Sequence, residues 1–145
     1  MKKLLVVFLC LLPLGLFSEV LKEGSGIAPL IVVKDQFEKE VALNISTKQI
    51  IVAFTREQGN QIKAFLDQNP KYLSEHNALY LMDATQVPSF VMRMFMMPKF
   101  KQYTYPIGIV NDENDAGYLP KQEGKITIIS LENLHISAIA YQDQL

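Results

Sequence analysis

The chain predicts an α/β domain built on a mixed central sheet flanked by helices. Three observations carry that prediction. Residues 50–54 (IIVAF) and 78–82 (ALYLM) are short unbroken apolar runs, the kind that lie mid-sheet with both faces covered. Between them Ile62, Phe65 and Leu66 fall at helical spacing, and Asn69-Pro70 stops the pattern. A strand, a helix and a strand in that order require a parallel pair with a right-handed crossover.

Residues 1–18 read as a secretory signal peptide: Lys2 and Lys3, an apolar run over 4–12, then Pro13, Gly15 and Ser18. The run is shorter than the ~20 residues of a membrane span. An uncleaved anchor is the alternative reading, because residues 14–17 prolong it. Cys10 suggests a lipoprotein only weakly, since Leu9 and not a small residue precedes it. Residues 19–26, with Gly24 and Gly26, form a flexible lead-in, and the domain proper spans 27–145.

Residues 27–33 are apolar and β-branched, 34–40 form a polar reversal, and Val41, Leu43 and Ile45 alternate as a second strand. Together they predict an N-terminal β-hairpin. After the strand at 50–54 comes a sharp polar turn, Thr55, Arg56, Glu57, Gln58 and Gly59, then a helix over 61–68. Residues 71–77 are a further helical turn or a loop. A second helix is expected over 85–100, with Pro88 in its first turn and Pro98 near its end. Residues 105–110 predict a strand, 111–124 a polar loop, and 125–130 another strand. In the tail from Leu131, the β-branched Ile136 and Ile139 fit a strand better than a helix.

Composition narrows the function. At 145 residues the chain can bury one core. Its only cysteine is Cys10, so the chain beyond the leader has no disulfide, thiol nucleophile or thiolate metal site. Without Lys2 and Lys3 the 14 basic residues become 12 against 15 acidic ones, a net charge of about −3. No basic run stands out, which argues against nucleic acid as a partner.

Several local phrases in this order resemble the thioredoxin-like superfamily, in the flavour of peroxiredoxins and periplasmic thiol-disulfide proteins. Residues 31–43 (IVVKDQFEKEVAL) are similar to its opening hairpin, with Glu38 where that hairpin often has glycine. Residues 48–54 (KQIIVAF) resemble its central strand. Residues 105–110 (YPIGIV) resemble the strand that opens with a cis-proline facing the active site, and 123–129 (EGKITII) its hairpin partner. The resemblance implies a three-layer fold over about residues 28–130. It places the redox cysteines at residues 55–59, where this chain has none, and no long C-terminal helix is evident.

The expected site is therefore a cleft for a partner, lined by Thr55, Arg56, Glu57, Gln58, Gly59, Tyr105 and Pro106. A nucleophilic Thr55 would need an adjacent base, and neither His76 nor His135 is near it in sequence. Met92, Met94, Met96 and Met97 could offer thioethers to Cu(I). On a helix they pair as Met92 with Met96 and Met94 with Met97, and methionine is more often a filler of irregular gaps in the core or an adaptable partner surface. Asp112, Glu113, Asn114 and Asp115 lack the spacing of a calcium loop, and the two histidines lack metal-ligand spacing.

The functional expectation is an exported, periplasmic, non-catalytic thioredoxin-like protein that binds or assists another periplasmic protein or peptide. It needs no cofactor and meets the membrane only through its leader. One alternative is a redox or peroxidase-like subunit relying on a cofactor or a partner's thiol. Another is a periplasmic Cu(I)-handling protein.

Overall fold

The computed structural model describes residues 20–26, 33–41 and 43–145. The leader predicted over 1–18, with Cys10, lies outside the described residues, as does most of the strand predicted over 27–33. The elements are β1 (Gln49–Ala53), α1 (Arg56–Gln68), α2 (Tyr72–Glu75), β2 (Ala78–Asp83), α3 (residues 89–100), β3 (Gly108–Val110), α4 (Glu113–Tyr118), β4 (Ile126–Glu132) and β5 (His135–Gln142).

The strands form one mixed sheet in the order β3-β2-β1-β4-β5. β1 runs parallel to β2, and β2 to β3, while β4 is antiparallel to both β1 and β5. Alternation along the strands divides the core in two. Ile51, Ala53, Tyr80, Met82, Ile126 and Ile128 face the layer of Ile62 and Leu66 of α1 and Met92 and Phe100 of α3. Ile50, Val52, Leu81, Val110 and Ile129 face the other way, against Leu21, Val33 and Leu119. Burial on both faces is what the unbroken apolar runs predicted.

Local chemistry explains where elements begin. Helix α1 starts at Arg56, so the polar turn read over 55–59 is mostly its first turn. Thr55 is the N-cap, and its hydroxyl oxygen accepts from the Gln58 backbone N–H at 3.2 Å. The predicted second helix starts at Ser89, not Thr85, because Asp83 Oδ1 accepts from both the backbone N–H and the hydroxyl of Thr85 and holds it in a turn. Within α3, residues Met92–Met96 form a wide π turn, and the Met97 N–H reaches back to the Met92 carbonyl. Pro98 follows at once; its ring cannot pack against a carbonyl four residues back in a regular helix.

Three further expectations are corrected. The loop predicted over 111–124 contains α4, capped by Asp112, whose Oδ1 accepts from Asn114 N–H at 2.7 Å. Among the described residues, Val41, Leu43 and Ile45 are not part of a strand. Val41 N–H pairs with the Val33 carbonyl, but Ile45 sits 64% exposed in a turn closed by Thr47 N–H on the Asn44 carbonyl. The reversal itself is present: Asp35 N–H meets the Lys39 carbonyl, and Glu38 turns it at φ 62°. Lastly, residues 123–129 are not the hairpin partner of 105–110. β3 pairs only with β2 within the sheet, and the hairpin is β4–β5, which confirms the strand read in the tail.

Candidate functional site

The corner between β1 and α1 is where the sequence places the site, and the structure shows how its side chains are used. Gln58 is 5% exposed. Its Oε1 accepts from Phe54 N–H at 2.8 Å, and its Nε2 donates to the Lys125 carbonyl at 3.1 Å. With the Thr55 cap this closes a reciprocal clasp, one residue displaced from the usual capping box. Gln58 thus pins the start of α1 to the end of β1 and to the chain entering β4. Thr55, Arg56 and Glu57 are exposed, and the first turn of the helix still presents backbone N–H groups outward.

The segment facing this corner is the approach to β4, which the sequence reading did not single out. Lys121 Nζ lies 5.2 Å from the centre of the half-buried Phe54 ring. Lys125 pairs with Asp143 at 2.7 Å, and Thr127 donates its hydroxyl to the Pro120 carbonyl at 2.8 Å. Gly124 turns the chain into β4 with φ 74°, a value that suits glycine.

Tyr105 and Pro106 stand elsewhere, ahead of the edge strand β3. Aromatic packing links Tyr105 to the corner. A Cβ on Gly59 would lie 3.6 Å from the Tyr80 hydroxyl, and the Tyr80 ring is 6.2 Å from that of Tyr105. Tyr103 continues the cluster at 5.5 Å, with Lys63 Nζ 5.1 Å from its centre. Burial pushes the hydroxyls of Tyr80, Tyr103 and Tyr105 above the usual phenol range. The Tyr105 hydroxyl is buried with no hydrogen-bond partner. Behind it Gln36, 1% exposed, donates to the carbonyls of Tyr105 and Phe100 and accepts from Ile107 N–H at 2.8 Å. Pro106 itself is exposed between buried Tyr105 and Ile107.

The remaining candidates are dispersed. Met92 is 7% exposed and packs in the core, Met96 and Met97 pack against its edge, and Met94 is 65% exposed. Four thioethers so divided between core and surface do not converge. His76 stacks on Tyr72 at 4.0 Å with Nδ1 on the Tyr72 carbonyl, and His135 Nδ1 rests on the Asn133 carbonyl. Neither is hydrogen-bonded to Thr55. Among the described residues no three His, Cys, Asp or Glu side chains gather as a metal site.

One of the two structural glutamines carries a signal in the sequence. Thr55-x-x-Gln58 is a capping-box spelling, which marks Gln58 as part of a helix start. Gln36 has no such signal, because a lone buried glutamine carries no periodicity.

Solved structures share this architecture. The thioredoxin domain of a thiol-disulfide oxidoreductase from Bacteroides vulgatus aligns with a TM-score of 0.54 at 15% identity, covering 84% of this chain and 90% of that one. A cysteine-to-serine mutant of PrxQ from Xylella fastidiosa aligns at 0.54 and 12% identity, covering 86% and 87%. The fold is thioredoxin-like. A peroxiredoxin-like protein from Aquifex aeolicus gives 0.52 at 13% identity, covering 87% of this chain and 79% of that one. No protein-family model matches the chain, and no curated protein sequence does. At such identities the likeness concerns the thioredoxin-like fold alone, and it upholds the three-layer architecture expected from the sequence.

Proposed function

We propose that this is an exported, periplasmic, non-catalytic thioredoxin-like protein that binds another protein of the same compartment at the β1–α1 corner. The observation that carries the reading is the chemistry of that corner. Where the resemblance puts redox cysteines, this chain has Thr55 to Gly59, with the Thr55 hydroxyl and the Gln58 carboxamide engaged in holding the helix start. Thiol exchange needs a thiolate, and no residue after Cys10 supplies one. What remains on the surface is recognition chemistry: Arg56 as a bidentate donor, Glu57 as an acceptor, and unpaired N–H groups of the first helical turn. The basic-apolar-small order of residues 1–18 supports export.

The test is a photo-crosslinker at Thr55 in the exported protein, read by mass spectrometry, alongside the same probe at exposed Glu132 on the far end of β4. One protein captured through Thr55 and not through Glu132 is the expected result. Reduction of insulin or turnover of peroxide by the pure, metal-free protein would overturn the non-catalytic reading.

A further inference from the structure

Helix α3 leaves a face of the molecule uncovered. Phe90 is 56% exposed, Met94 65% and Phe95 66%, three large apolar side chains turned outward within six residues of one helix, with exposed Arg93 among them. The π turn sorts the residues: Met92 goes into the core and Met96 against its edge, while Met94 and Phe95 stay outside. The charge around this face is of one sign. Between Asp83 and Asp112 the chain has no acidic residue, yet it carries Arg93, Lys99 and Lys101, all exposed. Among the described residues none of these three takes part in an ion pair, whereas Lys34, Lys63 and Lys125 all do. This clustering of unpaired cations belongs to a chain whose formal net charge is −1.

We propose that α3 docks the protein on the surface of a lipid bilayer rich in anionic headgroups. Phe90, Met94 and Phe95 enter the boundary between headgroups and acyl chains, and Arg93, Lys99 and Lys101 meet lipid phosphates. Apolar anchors flanked by free cations are the pairing that favours an anionic interface over a neutral one. Flexible thioether and aromatic side chains suit that boundary, because it has no fixed shape to complement. The mode is lying on the membrane: among the described residues no helix is long and apolar enough to cross one. This docking face is distinct from the β1–α1 corner and does not rest on it.

The experiment compares three proteins by flotation with phosphatidylglycerol-phosphatidylethanolamine vesicles and with pure phosphatidylcholine vesicles. They are the unaltered chain, F90S/M94S/F95S, and R93E/K99E/K101E. The N-terminal segment is common to all three, so differences between them report α3. The unaltered protein should float with anionic vesicles at least about tenfold more than with neutral ones, and each variant should lose about tenfold or more of that. Raising salt should weaken the binding of the unaltered protein. Because the chain has no tryptophan, F95W adds a single reporter, and its emission should shift to the blue with anionic vesicles only. Equal flotation of all three proteins, or an unshifted F95W, overturns the proposal even if a triple variant folds poorly. So does a self-association of the unaltered protein that F90S/M94S/F95S abolishes while flotation is unchanged; that result would assign the face to a second copy. A purified protein partner that occupies α3 without any vesicle binding would likewise replace the lipid.

Discussion

Gln58 offers the sharpest test of how the β1–α1 corner is built. Replacing it with alanine removes the acceptor of Phe54 N–H and the donor to the Lys125 carbonyl, and it deletes one methylene along with the carboxamide from a position 5% exposed. A buried polar group left unpaired costs about 1–3 kcal/mol. Phe54 and Lys125 are only half-buried, so water can partly replace the lost amide, and the low end of about 1 kcal/mol applies to each. Lost packing adds about 1 kcal/mol, since a buried methylene contributes about 0.8 kcal/mol. The expected destabilisation of Gln58→Ala is therefore about 3 kcal/mol. In urea, with a slope of about 1–3 kcal/mol/M for a domain of this size, the midpoint should fall by about 1–3 M. Gln58→Glu should fall between the two, because it keeps the acceptor for Phe54 N–H but turns an oxygen on the Lys125 carbonyl. A Gln58→Ala protein within about 0.5 kcal/mol of the parent would refute the argument, for that is the range of an ordinary surface substitution. The side chain would then be free for a partner and not part of the clasp.

Other expectations follow from single positions. Glu38 holds φ 62°, and its contact with Lys34 is long, 4.0 Å, and exposed, so Glu38→Gly should stabilise by about 0.5–1 kcal/mol in the same urea assay. Gly108 has no such freedom to give: an added Cβ would stand 2.5 Å from Leu81 Cδ2 and 3.0 Å from Val33 Cγ2. Gly108→Ala should therefore cost about 1–3 kcal/mol by overpacking. Tyr80 and Tyr105 have hydroxyls raised by burial, so the folded state keeps protons that the unfolded chain releases near pH 10. Stability should then be intact below that pH and fall as pH rises through it, with phenolate absorbance of these tyrosines appearing only with unfolding. Tyr105→Phe removes an unpartnered buried hydroxyl and should leave stability unchanged or raise it by about 1 kcal/mol.

The legibility of this fold from sequence depended on how local each cause was. Ile50 to Ala53 and Ala78 to Met82 announced a sheet covered on both faces, and Ile62 with Leu66 announced the buried stripe of α1. Helix starts were equally local, but acidic and polar caps look like loops: Asp112 opens α4, and Thr55 opens α1 seven residues before Ile62, the first apolar side chain of the expected pattern. Strand pairing was out of reach, because nothing in residues 105–110 says that they join the far edge beside β2 and not the strand at 126–132. That one non-local fact puts Tyr105 and Pro106 ahead of the edge strand, and the residues bonded or stacked directly against the corner are Lys125 and Lys121. Gln36 escaped for a related reason, since its three partners lie 64 to 71 residues away.

These two glutamines also separate the molecule's surfaces. Gln58 ties the β1–α1 corner to the chain entering β4, while Gln36 ties the end of α3 to the segment leading into β3, and among the described residues no hydrogen bond joins the two sets. The sheet between them packs α1 and α3 on the same side, so both surfaces rest on the core of Ile51, Tyr80 and Met82. A substitution in that core would disturb the proposed recognition at the corner and the proposed docking by α3 together. Outward substitutions at Arg56 or at Phe90 touch neither clasp, and residues without shared partners act independently. The polar corner with its pinned helix start and the apolar, cationic face of α3 are thus two structurally separate regions of one thioredoxin-like scaffold, so the two proposed roles can be tested apart.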